Sequence, residues 1–239
     1  MMASSADIEH IEPQLWSTIT VARAEFRVLS LGADVGNANG ALIALPNRWS
    51  DIARFLRLVT YVAPPSKEPA LAVLGIEPPS WQHFWYPHGA YDTPLEEQNP
   101  YLDITLATIE QIIQRLTSHI PLKNISLFGI AEGASMILEY VARNTYPLNA
   151  AVALSGVLLG NSLDTSDRFN LVSSRTKVLL TASLVQPAGL RVRFNQTAQI
   201  LKQNGYKVIA LTYDRRPTTI VPEELEMSSS VIYGTFSES

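Results

Sequence analysis

At 239 residues the chain is long enough for one sizeable core, and 46% hydrophobic against 17% charged residues suits a globular protein with much buried surface. A formal net charge of -4 gives no basic field for nucleic acid or an anionic membrane, so neither is expected as a partner. With no cysteine and four scattered histidines there is no disulfide framework, no thiol nucleophile and no metal-ligand spacing, and no metal or cofactor is expected. The first residues, MMASSADIEHIEPQLW, lack the basic start and apolar core of a signal peptide. No apolar run approaches the roughly 20 residues of a membrane helix. The expectation is a soluble intracellular chain, cytoplasmic by default.

Residues 1–21 show no strong pattern and read as an arm, flexible or clamped by a partner. The arm is placed at 1–23 and a single domain at 24–239. Residues 24–31 (AEFRVLSL) read as a strand that runs into a Gly/Asn-rich loop at 32–40. A helix is expected within 41–56, interrupted or started by Pro46, and a short strand at 58–62. Residues 63–101 contain EPPSWQHFWYPHGAYDTPLEEQNPY and read as a long ordered excursion over one face. The clearest helix is 102–120, where Ile104, Ala107, Ile109, Ile112, Ile113, Leu116 and Ile120 recur at spacings of three and four.

The most informative stretch follows. An apolar strand at 125–128 enters Gly129-Ile130-Ala131-Glu132-Gly133, a helix pattern runs to about Arg143, and a second apolar strand lies at 150–154. Strand, tight Gly-x-X-x-Gly turn and helix make the frame of a nucleophile elbow, G-x-S-x-G, whose central residue carries the attacking hydroxyl. Here the central residue is Ala131. A polar loop at 158–174 leads to a strand at 177–182, a helix at 190–204 closed by Gly205, and a strand at 206–212. Pro222-Glu223-Glu224-Leu225 suits a helix start, with Pro first and acids at the positive end. The final SSSVIYGTFSES is a weak helix former and is not assigned. Strands alternating with helices indicate an α/β fold, a mostly parallel central sheet with helices on both faces.

With these elements placed, the sequence resembles the phospholipase/carboxylesterase group of α/β-hydrolases, which includes the acyl-protein thioesterases, over about residues 25–225. Leu31-Gly32-Ala33-Asp34 looks like the end of the family's L-H-G-L-G-A-D loop, with Leu29-Ser30 where His-Gly should be. Tyr61-Val62-Ala63-Pro64 is similar to its second-strand ending, and Trp85-Tyr86 to the W-[FY]-D before the long helix. Phe128-Gly129-Ile130-Ala131-Glu132-Gly133-Ala134 resembles G-F-S-Q-G-G, Ala153-Leu154-Ser155-Gly156 matches A-L-S-G, and Pro222-Glu223-Glu224-Leu225 matches P-E-E-L. The resemblance implies a single-domain α/β-hydrolase fold and ester or thioester hydrolysis by a Ser-Asp-His triad. Carried across, Ala131 stands at the serine, Gln186 at the acid and Thr218 at the histidine. The last histidine in the chain is His119, far upstream of where the family's base lies. The implied pocket, vestigial on this reading, comprises Leu31, Gly32, Trp85, Ala131 and Glu132.

Each remaining candidate has a plainer reading beside the functional one. Ser135 or Ser155 could serve as a substitute nucleophile, but no histidine is near either in sequence. Glu132 could be a lone acid/base, and is preferred as a solvent-facing or helix-N-terminal carboxylate. His83 or His88 could reach the site, and both are preferred as surface or stacking histidines. The cluster Trp81, Phe84, Trp85, Tyr86 and Tyr91 could line an apolar ligand pocket or form a protein contact. Arg215-Arg216 could bind an anion, and is preferred as an exposed, solvated pair. Asn37-Ala38-Asn39-Gly40 lacks the G-K-[ST] ending of a phosphate loop.

The function expected is that of a catalytically inactive α/β-hydrolase homologue, a pseudoenzyme acting as a structural or interaction protein with a protein partner or as a homo-oligomer. The alternatives are a protein binding an apolar small molecule or acyl ligand, or an enzyme, hydrolytic or not, that uses relocated residues.

Overall fold

The computed structural model describes residues 12–79, 83–163, 169, 176–215 and 219–234. Eight strands form one sheet: β1 (Gln14–Val21), β2 (Ala24–Gly32), β3 (Gly40–Leu45), β4 (Leu71–Ile76), β5 (Ile125–Ile130), β6 (Ala150–Leu154), β7 (Lys177–Ser183) and β8 (Lys207–Tyr213). Their spatial order is β1-β2-β4-β3-β5-β6-β7-β8. β2 is antiparallel to both β1 and β4, and every other neighbouring pair is parallel. The α-helices among the described residues are α1 (Ile52–Val62), α2 (Tyr101–Leu116), α3 (Glu132–Arg143), α4 (Ala188–Gln203) and α5 (Pro222–Ile232).

The central strands are buried on both faces because helices cover both, which is why they read as continuous apolar runs. Alternate side chains divide between two cores. Ala41, Ile43, Leu45, Leu127, Ala151 and Leu180 face α2, α3 and α4. Leu42, Ala44, Phe128, Val152 and Leu179 face α1 and α5. This is the α/β architecture expected from the alternation of elements, a mostly parallel sheet with helices on both faces.

Four elements differ from the sequence reading. Residues 14–21, inside the expected arm, form β1, and its β-branched residues pair with β2 in a hairpin. Residues 1–11 lie outside the described residues. GALIAL at 40–45 is a buried strand where a helix was expected, and Pro46 ends it. Residues 58–62 finish α1 instead of forming a strand; Asp51 caps that helix by accepting the Arg54 N–H at 2.7 Å. The excursion at 63–101 contains β4, and the described residues on either side of it are irregular up to α2, apart from a short 3-10 turn at Leu95–Gln98. At the chain's end, SSSVI, left unassigned from sequence, is the second half of α5.

Candidate functional site

The parallel strands all point their C-terminal ends to one edge of the sheet, and the elbow sits there. Gly129, next to last in β5, must be glycine because a Cβ would lie 2.6 Å from the Ala134 nitrogen. Gly133 opens α3 because a Cβ would press on the Leu45 carbonyl and lie 2.5 Å from the Pro46 carbonyl. Between them Ala131 takes φ 52° and ψ -110°, a conformation an L-residue adopts under strain. Its N–H donates to Leu154 O at 2.8 Å, and its carbonyl accepts the Ser135 N–H at 3.0 Å. The elbow geometry expected from Gly129 to Gly133 is therefore present, with a methyl at its tip.

Glu132 is 7% exposed, which excludes the solvent-facing role. It forms an ion pair with Arg48 and accepts the Trp85 N–H at 3.5 Å. Trp85 is wholly buried, and its indole N–H donates to Pro46 O at 2.7 Å. The loop after β3, the aromatic loop and the elbow are thus tied together by Glu132, Trp85 and the Pro46 carbonyl. Tyr86 packs in the same layer; burial pushes its hydroxyl up to about 12, against the opposing effects of its bond to Ser135 and the Arg48 charge. Ser135 is buried, and its hydroxyl oxygen also accepts the Val157 N–H at 3.2 Å, so it is a packing residue and not a reachable nucleophile.

Leu31 and Gly32 do not belong to this site. β2 runs antiparallel to β4, so Gly32 pairs with Ala72, at the start of β4 and hence at the opposite edge of the sheet from Ala131. At about 3.3 Å per residue, the length of β3 separates the two edges. Leu31 and Gly32 line a separate depression of about 200 Å³ with Trp16 and Asp34. The four-letter match at 31–34 falls on the wrong strand. The loop beside the elbow is the one that follows β3, beginning Pro46-Asn47-Arg48-Trp49. Tyr61-Val62-Ala63-Pro64 likewise ends a helix and not a strand.

Gln186 lies just past β7. Its N–H donates to Ser183 O at 3.4 Å, and its buried amide nitrogen has no hydrogen-bond partner among the described residues. Thr218, Trp81 and Arg216 fall outside the described residues. Arg215 is 6% exposed, contrary to the solvated pair expected at 215–216. Its guanidinium pairs with the fully buried Glu224, Nε to Oε2 at 2.6 Å and Nη2 to Oε1 at 2.7 Å. Nη2 also donates to Ser155 Oγ at 2.9 Å, Thr181 Oγ1 donates to Glu224 at 2.5 Å, and Ser183 donates to the Arg215 carbonyl. Glu224 further accepts the Val221 N–H at 3.1 Å, capping α5. Nothing in the sequence marked this network, because its members come from β7, from α5 and from the chain just past β6 and β8.

A groove of about 790 Å³ lies over the elbow. Ala131, Ser155 and Ile130 line it at the sheet, α1 contributes a wall that includes Arg54 and Arg57, and Trp49, 70% exposed, stands in the loop before α1. His83 stacks on Trp49 with ring centroids 5.0 Å apart, facing a neighbouring cavity of about 470 Å³, and His88 is exposed. The stacking role preferred for His83 is what the structure shows. The groove's α1 wall was missed from sequence because its second half was read as a strand; the spacing of Arg54, Arg57, Leu58 and Tyr61 carries the helical signal. No group of acidic or histidine side chains able to hold a metal occurs among the described residues. No described helix is long and apolar enough to cross a membrane.

The sequence profile of the phospholipase/carboxylesterase family matches residues 40–233. Among curated proteins none gives a significant sequence match. Solved structures with a similar fold include a phospholipase/carboxylesterase from Dyadobacter fermentans, 23% identical, TM-score 0.75, covering 86% of this chain and 95% of that one. The Bacillus cereus carboxylesterase is 14% identical with TM-score 0.67, covering 88% and 95%. A Mesorhizobium loti carboxylesterase is 12% identical with TM-score 0.67, covering 91% and 99%.

Proposed function

The chain belongs to the phospholipase/carboxylesterase family, and from that premise we propose that it is a non-hydrolytic member that binds a small apolar molecule in the groove over its elbow. The observation that carries this is Ala131: the strained turn that should present a nucleophile presents a methyl to the groove. Gln186 and Thr218 at the acid and base positions support the same reading. In this fold the triad runs Ser, acid, His along the chain, and no histidine follows His119. In a serine hydrolase, loss of the triad costs about a million-fold in turnover. Ser155, the groove hydroxyl beside Ala131, accepts from Arg215, a cation that does not withdraw its proton.

The test is intact-mass analysis after incubation with a fluorophosphonate, which labels activated serines. An unmodified mass is expected for both the native chain and Ala131→Ser, because the substitution restores a hydroxyl without a base. A stoichiometric adduct on the native chain would identify a relocated nucleophile and overturn the reading.

A protein-interaction role is the second reading, favoured by Leu184 and Val185, both exposed beside the end of β8, the last strand of the sheet. The Leu184 N–H donates to Tyr213 O at 2.9 Å, which places this patch at that edge. Sedimentation as a species larger than 26.3 kDa that Val185→Asp dissociates would select it.

A further inference from the structure

We propose that the groove is built for an amphiphile with a carboxylate head, held by Arg54 and Arg57; this rests on the reading of the groove as a binding site. On α1, Arg54, Arg57, Leu58 and Tyr61 follow one another at steps of three, one and three, and so share one stripe of the helix. The stripe is cationic toward the N-terminal, elbow end of α1 and apolar toward Tyr61, roughly 10 Å further along the helix axis. Phe55, Ile130 and Ile220 complete the apolar lining, and Trp49 stands at the head end.

The charges in and around the groove do not cancel. Arg48, next to it, is neutralised by Glu132. Asp51 is the acidic side chain in the lining, and its carboxylate is engaged as the cap of α1. Neither the Arg54 nor the Arg57 guanidinium forms an ion pair or hydrogen bond with another described residue. Two guanidinium forks one helical turn apart are matched to a planar carboxylate, which each can hold through two parallel N–H donors. An apolar tail laid along Leu58 and Tyr61 would cover side chains now left to water, Tyr61 being 57% exposed. A volume of about 790 Å³ is ample for a single short-chain amphiphile, within the roughly 300–1,000 Å³ usual for ligand pockets.

The probes are octanoate, octan-1-ol and octylammonium, titrated calorimetrically into the native chain at low ionic strength. Octanoate is expected to bind roughly tenfold more tightly than octanol, with octylammonium the weakest. In Arg54→Gln/Arg57→Gln, whose side chains sit on the helix surface, octanoate should fall to the octanol level while octanol binding and the thermal midpoint are kept. Equal binding of octanoate and octanol to the native chain would overturn the carboxylate assignment and leave the apolar groove standing. Binding of none of the three would overturn the groove reading itself. A preference for octanoate that survives the double substitution would show that other residues hold the head.

Discussion

Two places at the same edge of the sheet are held together in different ways. At the elbow the backbone keeps a strained turn with a methyl at its tip. At the corner between β8 and α5 the space is filled by an ion pair, Arg215 with Glu224, and its hydroxyl partners. The elbow is held by close backbone approaches at Gly129, Gly133 and Gly156, the last with a built Cβ 2.5 Å from that of Ala134. None of those approaches involves the side chain of residue 131, so the turn persists whatever stands there. The corner depends wholly on its side chains. Removing one member strands the others in a dry site, where an unpaired charge is costly.

The largest effect is therefore expected at the corner. Glu224→Gln leaves the buried Arg215 charge without its counter-ion and should cost about 3–5 kcal/mol in urea unfolding. The paired change Arg215→Met/Glu224→Leu should recover only part of that loss, since it removes the unpaired charge but leaves the Thr181 hydroxyl and the Val221 N–H without their acceptor. A cost below about 1 kcal/mol for Glu224→Gln would show the corner to be solvated and break the contrast. Next is Gly133→Ala, whose methyl meets the Leu45 and Pro46 carbonyls and should destabilise by about 1–3 kcal/mol. The smallest effect is a gain: Ala131→Gly relieves the positive φ and should stabilise by roughly 0.5–1 kcal/mol after the added chain entropy. A loss there would mean that the Ala131 methyl contributes packing that outweighs the strain.

The elbow was legible in the sequence because its constraints are local. An apolar run, two glycines four residues apart and a helix pattern lie in one short stretch, and each has a steric reason. The corner was not legible because Arg215 and Glu224 look like ordinary surface charges until α5 folds back over β6 and β7. β3 was misread for a different reason. Six consecutive apolar residues buried on both faces show no period, and GALIAL followed by Pro46 suits a helix as well as a strand. β4 was hidden between Pro69 and Pro78-Pro79, where loop composition surrounds an element of six residues. The slip at Leu31-Gly32-Ala33-Asp34 shows the weakness of a four-residue match. Without β3 recognised, the letters had only one strand to attach to.

The order of strands also bears on how the chain is made. β3 lies between β4 and β5, so it can be paired on one side once residue 76 has left the ribosome, but its other side waits for residues 125–130. Roughly 50 residues are synthesised in that interval, about 3–10 s at ordinary elongation rates. Throughout it, GALIAL presents an unpaired edge without a charge or a proline to blunt it. A nascent chain stalled after β4 is thus a target for chaperone capture or for misassembly with its neighbours on the same message. Lysine placed in β3 would relieve that hazard only by destroying the centre of the finished sheet.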